Sequence, residues 1–279
     1  MFAKVRLNRM DNLALLNHPL SEPTAFTPEA LIAAVRAERG LAIEAPPSVC
    51  VLDFDGDLTD GLVFACRARN WRLWPCFHTT MFAFSVDGLE CGIIPRTIGG
   101  PYTVLVAEQL AAAGVELILG LTSAGRVLAD LPIPSLVIAT SAVRDEGTSF
   151  HYLPPGERVD APESVPDWIE RELKQLDVAV TRGLVWTTDA PYRETQQQLE
   201  SHAAAGVLAV EMQAASLFAF AARRKFPVGL VAQVSNAVGY ESRFNKGSEQ
   251  ESVRLLEAMC RAGRHFIRHS AAPDTQDRR

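Results

Sequence analysis

Three carboxylates crowd one short turn of this 279-residue chain. Residues 51–61 read VLDFDGDLTDG, so an apolar run ends in Asp53, and Asp55 and Asp57 follow on either side of Gly56. An acid at a strand end is a possible nucleophile, and a second acid two residues on is its possible proton partner. Other chemistry-bearing residues also follow apolar runs. Arg96 precedes Gly99-Gly100-Pro101, and Ser123 sits in Thr-Ser-Ala-Gly. Asp189 and Tyr192 follow Thr187-Thr188, Glu211 and Gln213 flank Met212, and Ser235-Asn236 closes the last apolar run. Cys76 and His78 lie close together, but nothing completes a set of metal ligands around them.

These residues need elements to hold them. Short apolar runs at Val49–Asp53, Val115–Leu119, Ser135–Ala139, Ala179–Trp186, Val207–Glu211 and Val228–Val234 read as buried strands. Asp87-Gly88 between two alternating runs, 76–86 and 89–94, reads as a hairpin turn. Helices are expected at 98–113, 166–176, 194–205, 213–224 and 248–269, with Gly114 and Gly206 as stops. A leader helix, Pro28–Arg39, has Thr27 as cap, Pro28 at its first position and Gly40 as its end. Strands separated by helices imply an α/β fold, a three-layer αβα sandwich around a mixed, largely parallel sheet. In such sheets ligands sit beyond the carboxyl ends of the strands. The polar residues above fall at those ends. With no linker or repeat, 1–47 reads as an extension with one helix, 48–270 as a single domain and 271–279 as a flexible tail.

Composition narrows the partners. Hydrophobic residues make up 48% and charged residues 22%, ordinary for a globular protein with a sizeable core. The net charge of -6 argues against nucleic acid. No window approaches the roughly 18–20 apolar residues that span a membrane. The N-terminus lacks the apolar core of a secretory signal. Five cysteines with no CxxC pattern read as reduced thiols, so a cytoplasmic location is expected.

The opening stretch resembles the first motif of haloacid-dehalogenase-type phosphatases, whose first Asp attacks phosphorus. That site also needs a Lys and a later acidic pair for magnesium. Only Lys174, Lys225 or Lys246 could supply the Lys, and no close Asp pair follows any of them. Asp57 also stands where a Thr is usual, so this reading ranks last.

A second resemblance spans about residues 49–240, to the nucleoside phosphorylase family, which includes uridine and purine nucleoside phosphorylases and related nucleosidases. Ile98-Gly99-Gly100-Pro101 resembles its glycine turn, and Thr122-Ser123-Ala124-Gly125 its Gly-Thr-Thr-Gly loop. Thr187-Thr188-Asp189-Ala190-Pro191-Tyr192 resembles its Ser-Asp-x-x-Tyr segment. Val210-Glu211-Met212-Gln213-Ala214-Ala215 is similar to its Val-Glu-Met-Glu-(Ser/Ala)-Ala.

The resemblance implies cleavage of a nucleoside's N-glycosidic bond, by phosphate in a pentosyltransferase or by water in a hydrolase. A non-catalytic nucleoside- or base-binding protein is a further alternative. Met212, Gln213 and Ser123, with Ala124, Gly125, Val210 and Glu211 around them, would hold the sugar. Tyr192, and secondarily Trp186, would stack on the base, and Asn236 would hydrogen-bond it. Gln213 stands where the family has an acid. Asn236 stands where adenine-cleaving members have one, and an amide cannot protonate a leaving purine. Such an amide suits a 6-oxopurine or a pyrimidine.

The family's three phosphate-binding arginines are missing, their places falling at Leu58, Gly120 and near Phe77 or His78. Arg96 is the first candidate replacement. Arg126, His18, Gly99 and Gly100 are others for an anion, whereas Arg144 reads as structural. No cofactor is implied beyond phosphate as a possible co-substrate, and no metal. The partners implied are a small nucleoside or base and further copies of the chain, as a dimer or a trimer of dimers.

Overall fold

The computed structural model describes residues 13–238 and 244–270. The start of the leader, 1–12, and the expected tail, 271–279, lie outside the described residues. The leader helix, α1 (Pro28–Arg39), forms with the expected ends: Thr27 Oγ1 accepts from the Ala30 amide at 3.2 Å, and Gly40 takes the left-handed conformation.

The strands are β1 (Val49–Asp53), β2 (Ala68–Asn70), β3 (Phe82–Val86), β4 (Leu89–Pro95), β5 (Leu117–Arg126), β6 (Ser135–Asp145), β7 (Arg158–Asp160), β8 (Val180–Thr188), β9 (Ala209–Glu211) and β10 (Val228–Ala237). They run β10-β6-β8-β9-β5-β1-β4-β3-β2, with β7 on the side of β6. A further β5–β10 pairing closes one half of the sheet on itself. β1 pairs in parallel with β4 and β5, and β6 with β8, as βα units require. The hairpin turns at Asp87-Gly88, both at positive φ, the geometry a two-residue turn of this kind demands.

Helices cover both faces. On one face α3 (Gly100–Ala113) and α6 (Ala214–Arg224) bury Val106, Leu110, Phe218 and Phe220. On the other, α2 (Asp57–Phe64), α4 (Val165–Leu173) and α7 (Glu249–Ser270) bury Leu62, Ile169, Leu173, Leu256 and Met259. The remaining helix, α5 (Gln196–Ala204), sends Leu199 onto a third cluster around Trp186 and Val210. Burying one apolar stripe of each helix against a sheet is what makes this three-layer arrangement stable.

Two local expectations change. Leu121–Gly125, expected as a loop, continues β5, because β10 and β9 pair with it from either side. The acidic turn after Asp53 opens a helix, α2. The glycine turn at 98–101 is a packing device. A Cβ on Gly100 would lie 2.2 Å from Ser216 Oγ and 3.1 Å from Ser216 Cβ, so α3 and α6 approach only because no side chain intervenes.

We expect Gly100→Ala to cost roughly 1–3 kcal/mol in urea unfolding, the usual penalty for overpacking. Adding Ser216→Ala should recover part of it, because the nearer clash is with the hydroxyl. Strict additivity of the two substitutions would contradict this close approach.

Candidate active site

The carboxyl end of β1 places three acids in three different roles. Asp53 is 1% exposed, and its carboxylate accepts from the Gly56 amide (3.1 Å), the Thr59 amide (2.8 Å) and Thr59 Oγ1 (2.8 Å). It therefore caps α2 from the preceding strand, with Gly56 at φ 87° turning the chain between them. Burial pushes its pKa up, against the pull of those donors. So enclosed, Asp53 is no nucleophile for a phosphate ester.

Asp55 turns toward β5. Its Oδ2 accepts from the Ser123 amide at 3.0 Å and its Oδ1 from Ser123 Oγ at 2.9 Å. Lys246 Nζ reaches the same carboxylate at 2.8 Å and Asp57 Oδ2 at 2.9 Å. Gln233 holds Lys246 in place by donating to its main-chain carbonyl at 2.5 Å. Burial opposes the lysine's charge, but its bonds to Asp55 and Asp57 outweigh that and raise its pKa.

The Val210–Gln213 segment is the opposite wall. Short strand β9 lies between β5 and β8 and delivers Glu211 to the start of α6. Fully buried, Glu211 accepts from Thr187 Oγ1 (2.5 Å) and from the amides of Gln213 (2.6 Å) and Ala214 (2.8 Å). These donors favour the carboxylate, but burial outweighs them and lifts its pKa to about 7. Gln213 is also buried, and its Oε1 accepts from the Met212 amide (3.1 Å) and Thr122 Oγ1 (3.2 Å). A backbone donor on Oε1 fixes the orientation of the amide and leaves its NH₂ as the group to offer a ligand.

At the end of β10, the register shifts between Val234 and Asn236 beside Ser123–Gly125. Ser235 Oγ donates to Asn236 Oδ1 at 3.0 Å. A Cβ on Gly125 would lie 2.4 Å from Val238 Cγ2, so only glycine lets these chains meet.

A cavity of about 450 Å³ opens among these strand ends. Its walls include the expected Ser123–Gly125, Tyr192, Val210–Gln213 and Asn236, together with Asp55, Ile98, Glu194 and Phe244. Tyr192 is 99% exposed at its rim, on a 3-10 turn. Trp186 is not at the cavity: it is fully buried, donates to Asp145 Oδ2 at 3.0 Å and packs on the His202 ring. A second cavity, of about 690 Å³, opens between α7 and residues 175–179, with Lys246 on its wall, but gathers none of the expected residues.

The expected replacement cations are engaged elsewhere. Arg96, at φ 62°, pairs with Asp60 on the surface and lies across Gly56, where a Cβ would sit 2.7 Å from its Cγ. Arg126 donates to the Leu131 carbonyl at 3.2 Å. Arg144 donates to Ser149 Oγ and the Pro154 carbonyl, as a structural residue does. His18 packs against the His151 ring at a tilt of 36°, with ring centroids 3.9 Å apart. Gly100 serves the helix contact described above, and Gly99, at φ 88°, is the residue that caps α3. None of these residues lines the cavity. Sequence reading named Lys246 only as one of three lysines that could serve a phosphatase site at the acidic turn, and did not place it on Asp55. It lies in a polar stretch just before the last helix.

Comparison with known proteins settles the family. The model of the phosphorylase superfamily matches residues 72–268. The chain belongs to that superfamily. Over 188 residues it is 32% identical to a guanosine phosphorylase of Halorubrum lacusprofundi, covering 66% of this chain and 73% of the relative. It is 29% identical over 185 residues to a uridine phosphorylase of Treponema pallidum, covering 61% and 69%. A uridine phosphorylase of Escherichia coli is 24% identical over 169 residues, covering 56% and 67%. The superfamily member described here is thus an enzyme of the pentosyltransferase kind, built on the expected αβα fold. Among the described residues, no helix is long and apolar enough to cross a membrane.

The buried Glu211 makes a pH prediction. Its folded pKa, about 7, lies above the ordinary 4.5, so the folded chain holds a proton that the unfolded chain releases. Its contribution to stability is therefore present below about pH 4.5 and lost as pH rises to about 7, on the order of 3 kcal/mol in total. Unfolding of wild type and Glu211→Gln across this range should show the variant gaining on the wild type as pH rises. Parallel curves would contradict it.

Proposed function

We propose that the chain cleaves the N-glycosidic bond of a nucleoside whose base is a 6-oxopurine or a pyrimidine. The observation that carries this reading is the meeting of Ser123, Met212, Gln213 and Asn236, from three distant chain segments, on one cavity. Bond cleavage develops positive charge on the sugar and negative charge on the base. Met212 offers an apolar surface to the ribose, and the Gln213 NH₂ donates to a ribose hydroxyl oxygen. Asn236 carries both a donor and an acceptor, matching the adjacent N–H and C=O of an oxo-base. It has no proton to give to a leaving adenine. The names of the relatives, a guanosine phosphorylase and uridine phosphorylases, support both base classes. An oligomer in a cytoplasmic setting accords with this reading, with a second copy covering the exposed Tyr192.

The test is a panel of purine and pyrimidine nucleosides, assayed for base release both with and without phosphate. Release from guanosine, inosine or uridine, and not from adenosine, is expected. Gln213→Ala and Asn236→Ala should each lower kcat/KM by about 10- to 100-fold, a loss of roughly 1.4–2.7 kcal/mol. A folded protein that releases base from no nucleoside under either condition would overturn the reading.

A further inference from the structure

We propose that the larger cavity, between α7 and residues 175–179, is a second ligand site, which takes a small organic anion with an apolar body and acts on the active-site wall through Lys246. The inference stands apart from the reading of function above. At about 690 Å³ the cavity exceeds the one of about 450 Å³ at the strand ends. It falls within the range of small-molecule sites, roughly 300–1,000 Å³. Its walls combine an apolar surface with a few polar groups, as such sites do. Leu136, Leu176, Val178 and Leu255 supply the surface. Lys246 and Arg254 bring positive charge from the stretch before α7 and from its second turn, and Gln233 brings an amide from β10.

These polar groups are not spent on one another. Gln233 is 9% exposed, and its Nε2 donates to the Lys246 carbonyl at 2.5 Å. Its Oε1 takes no hydrogen bond among the described residues, so on a side chain this buried a ligand N–H in the cavity can meet it. Arg254 is exposed and pairs with no carboxylate among the described residues. Its neighbour Glu251 caps the helix start, Oε2 accepting from the Ser248 amide at 2.6 Å. Asp177 is the other acid on the wall, and the remaining cation, Arg261, is held by Glu172 at 3.2 Å. A ligand anion beside Arg254 and the start of α7 gains from the guanidinium and from the helix dipole together.

Lys246 joins the two cavities. It lines the larger one, while its ammonium bonds Asp55, on the wall of the smaller one, at 2.8 Å and Asp57 at 2.9 Å. A ligand anion therefore competes with two carboxylates for one ammonium. Occupancy of the larger cavity loosens Asp55, and a loosened Asp55 strengthens ligand binding by the same factor.

The probe is anilinonaphthalene sulfonate, a flat apolar anion with one N–H, titrated by fluorescence into the full folded chain. Wild type should bind it saturably. Arg254→Glu should weaken binding by about 10- to 100-fold, the loss of a charge-assisted contact. Ala179→Trp, which fills the cavity from its exposed edge, should abolish it. Gln213→Ala, on the wall of the other cavity, should leave it unchanged. Asp55→Asn should tighten binding by about 2- to 5-fold, the worth of one partly exposed ion pair. Asp60→Asn, which removes a charge from α2 that Lys246 does not hold, should not. Far-UV circular dichroism of each variant shows that it is folded.

Absence of saturable binding overturns the proposal. So does binding that survives both Arg254→Glu and Ala179→Trp, or that is lost with Gln213→Ala, because the probe then sits elsewhere. An Asp55→Asn affinity equal to that of wild type, or a gain that Asp60→Asn reproduces, overturns the link through Lys246.

Discussion

The site depends on one electrostatic tie, the contact of Lys246 and Ser123 with the carboxylate of Asp55. It joins three segments that are far apart in sequence: the turn after β1, the end of β5 and the stretch leading into α7. Each partner alone would be a liability. Asp55 and Asp57 repel one another, a half-buried lysine without a counter-ion loses charge, and the Ser123 donors would face the cavity unfilled. Together they satisfy each other, and removing one member leaves a partly buried charge uncompensated, which is where such pairs become costly. The tie also sets the electrostatic character of the cavity, because it leaves the Asp55 carboxylate on its wall.

Around that tie the fold supplies rigid positions. β5 and β10 run side by side up to the cavity, so Ser123–Gly125 and Asn236 are held by sheet hydrogen bonds and do not rest on a free loop. Glu211 plays the corresponding part on the other wall. Its buried carboxyl gathers Thr187 and the first amides of α6, and so fixes the chain on either side of Met212. The acid that is most prominent in the Val-Glu-Met-Gln segment thus organises the wall, and the residues beside it face the ligand. Asp53 does the same for α2. Two buried acids shape the backbone, and the partly exposed Asp55 stands on the cavity wall.

Much of this was legible in the sequence, and the exceptions have a common cause. Local signals succeeded: Thr27, Pro28 and Gly40 bracketed α1, Asp87-Gly88 placed the hairpin, and alternating strand and helix patterns gave the αβα layers. Three of the four motif stretches contribute several residues each to the cavity wall, because each is a contiguous run, whereas the glycine turn gives it only Ile98. What failed was non-local. Helix α2 was hidden because its cap is a residue of the preceding strand, Asp53, and not one beside its first turn. Leu121–Gly125 looked like a loop because its small and polar residues become strand only through partners on both sides. Arg96 and Arg126 looked like free cations until their partners, Asp60 and the Leu131 carbonyl, were placed. The Lys246–Asp55 pair spans 191 residues, and no periodicity reports a contact of that kind.

The central claim is that the Asp55 carboxylate ties Ser123 and Lys246 together at the wall of the site. A crystal structure of the wild-type protein tests it most directly. The account predicts Asp55 on the Ser123 amide and hydroxyl with Lys246 beside it. An Asp55 side chain turned to solvent, with Ser123 and Lys246 apart, would contradict it.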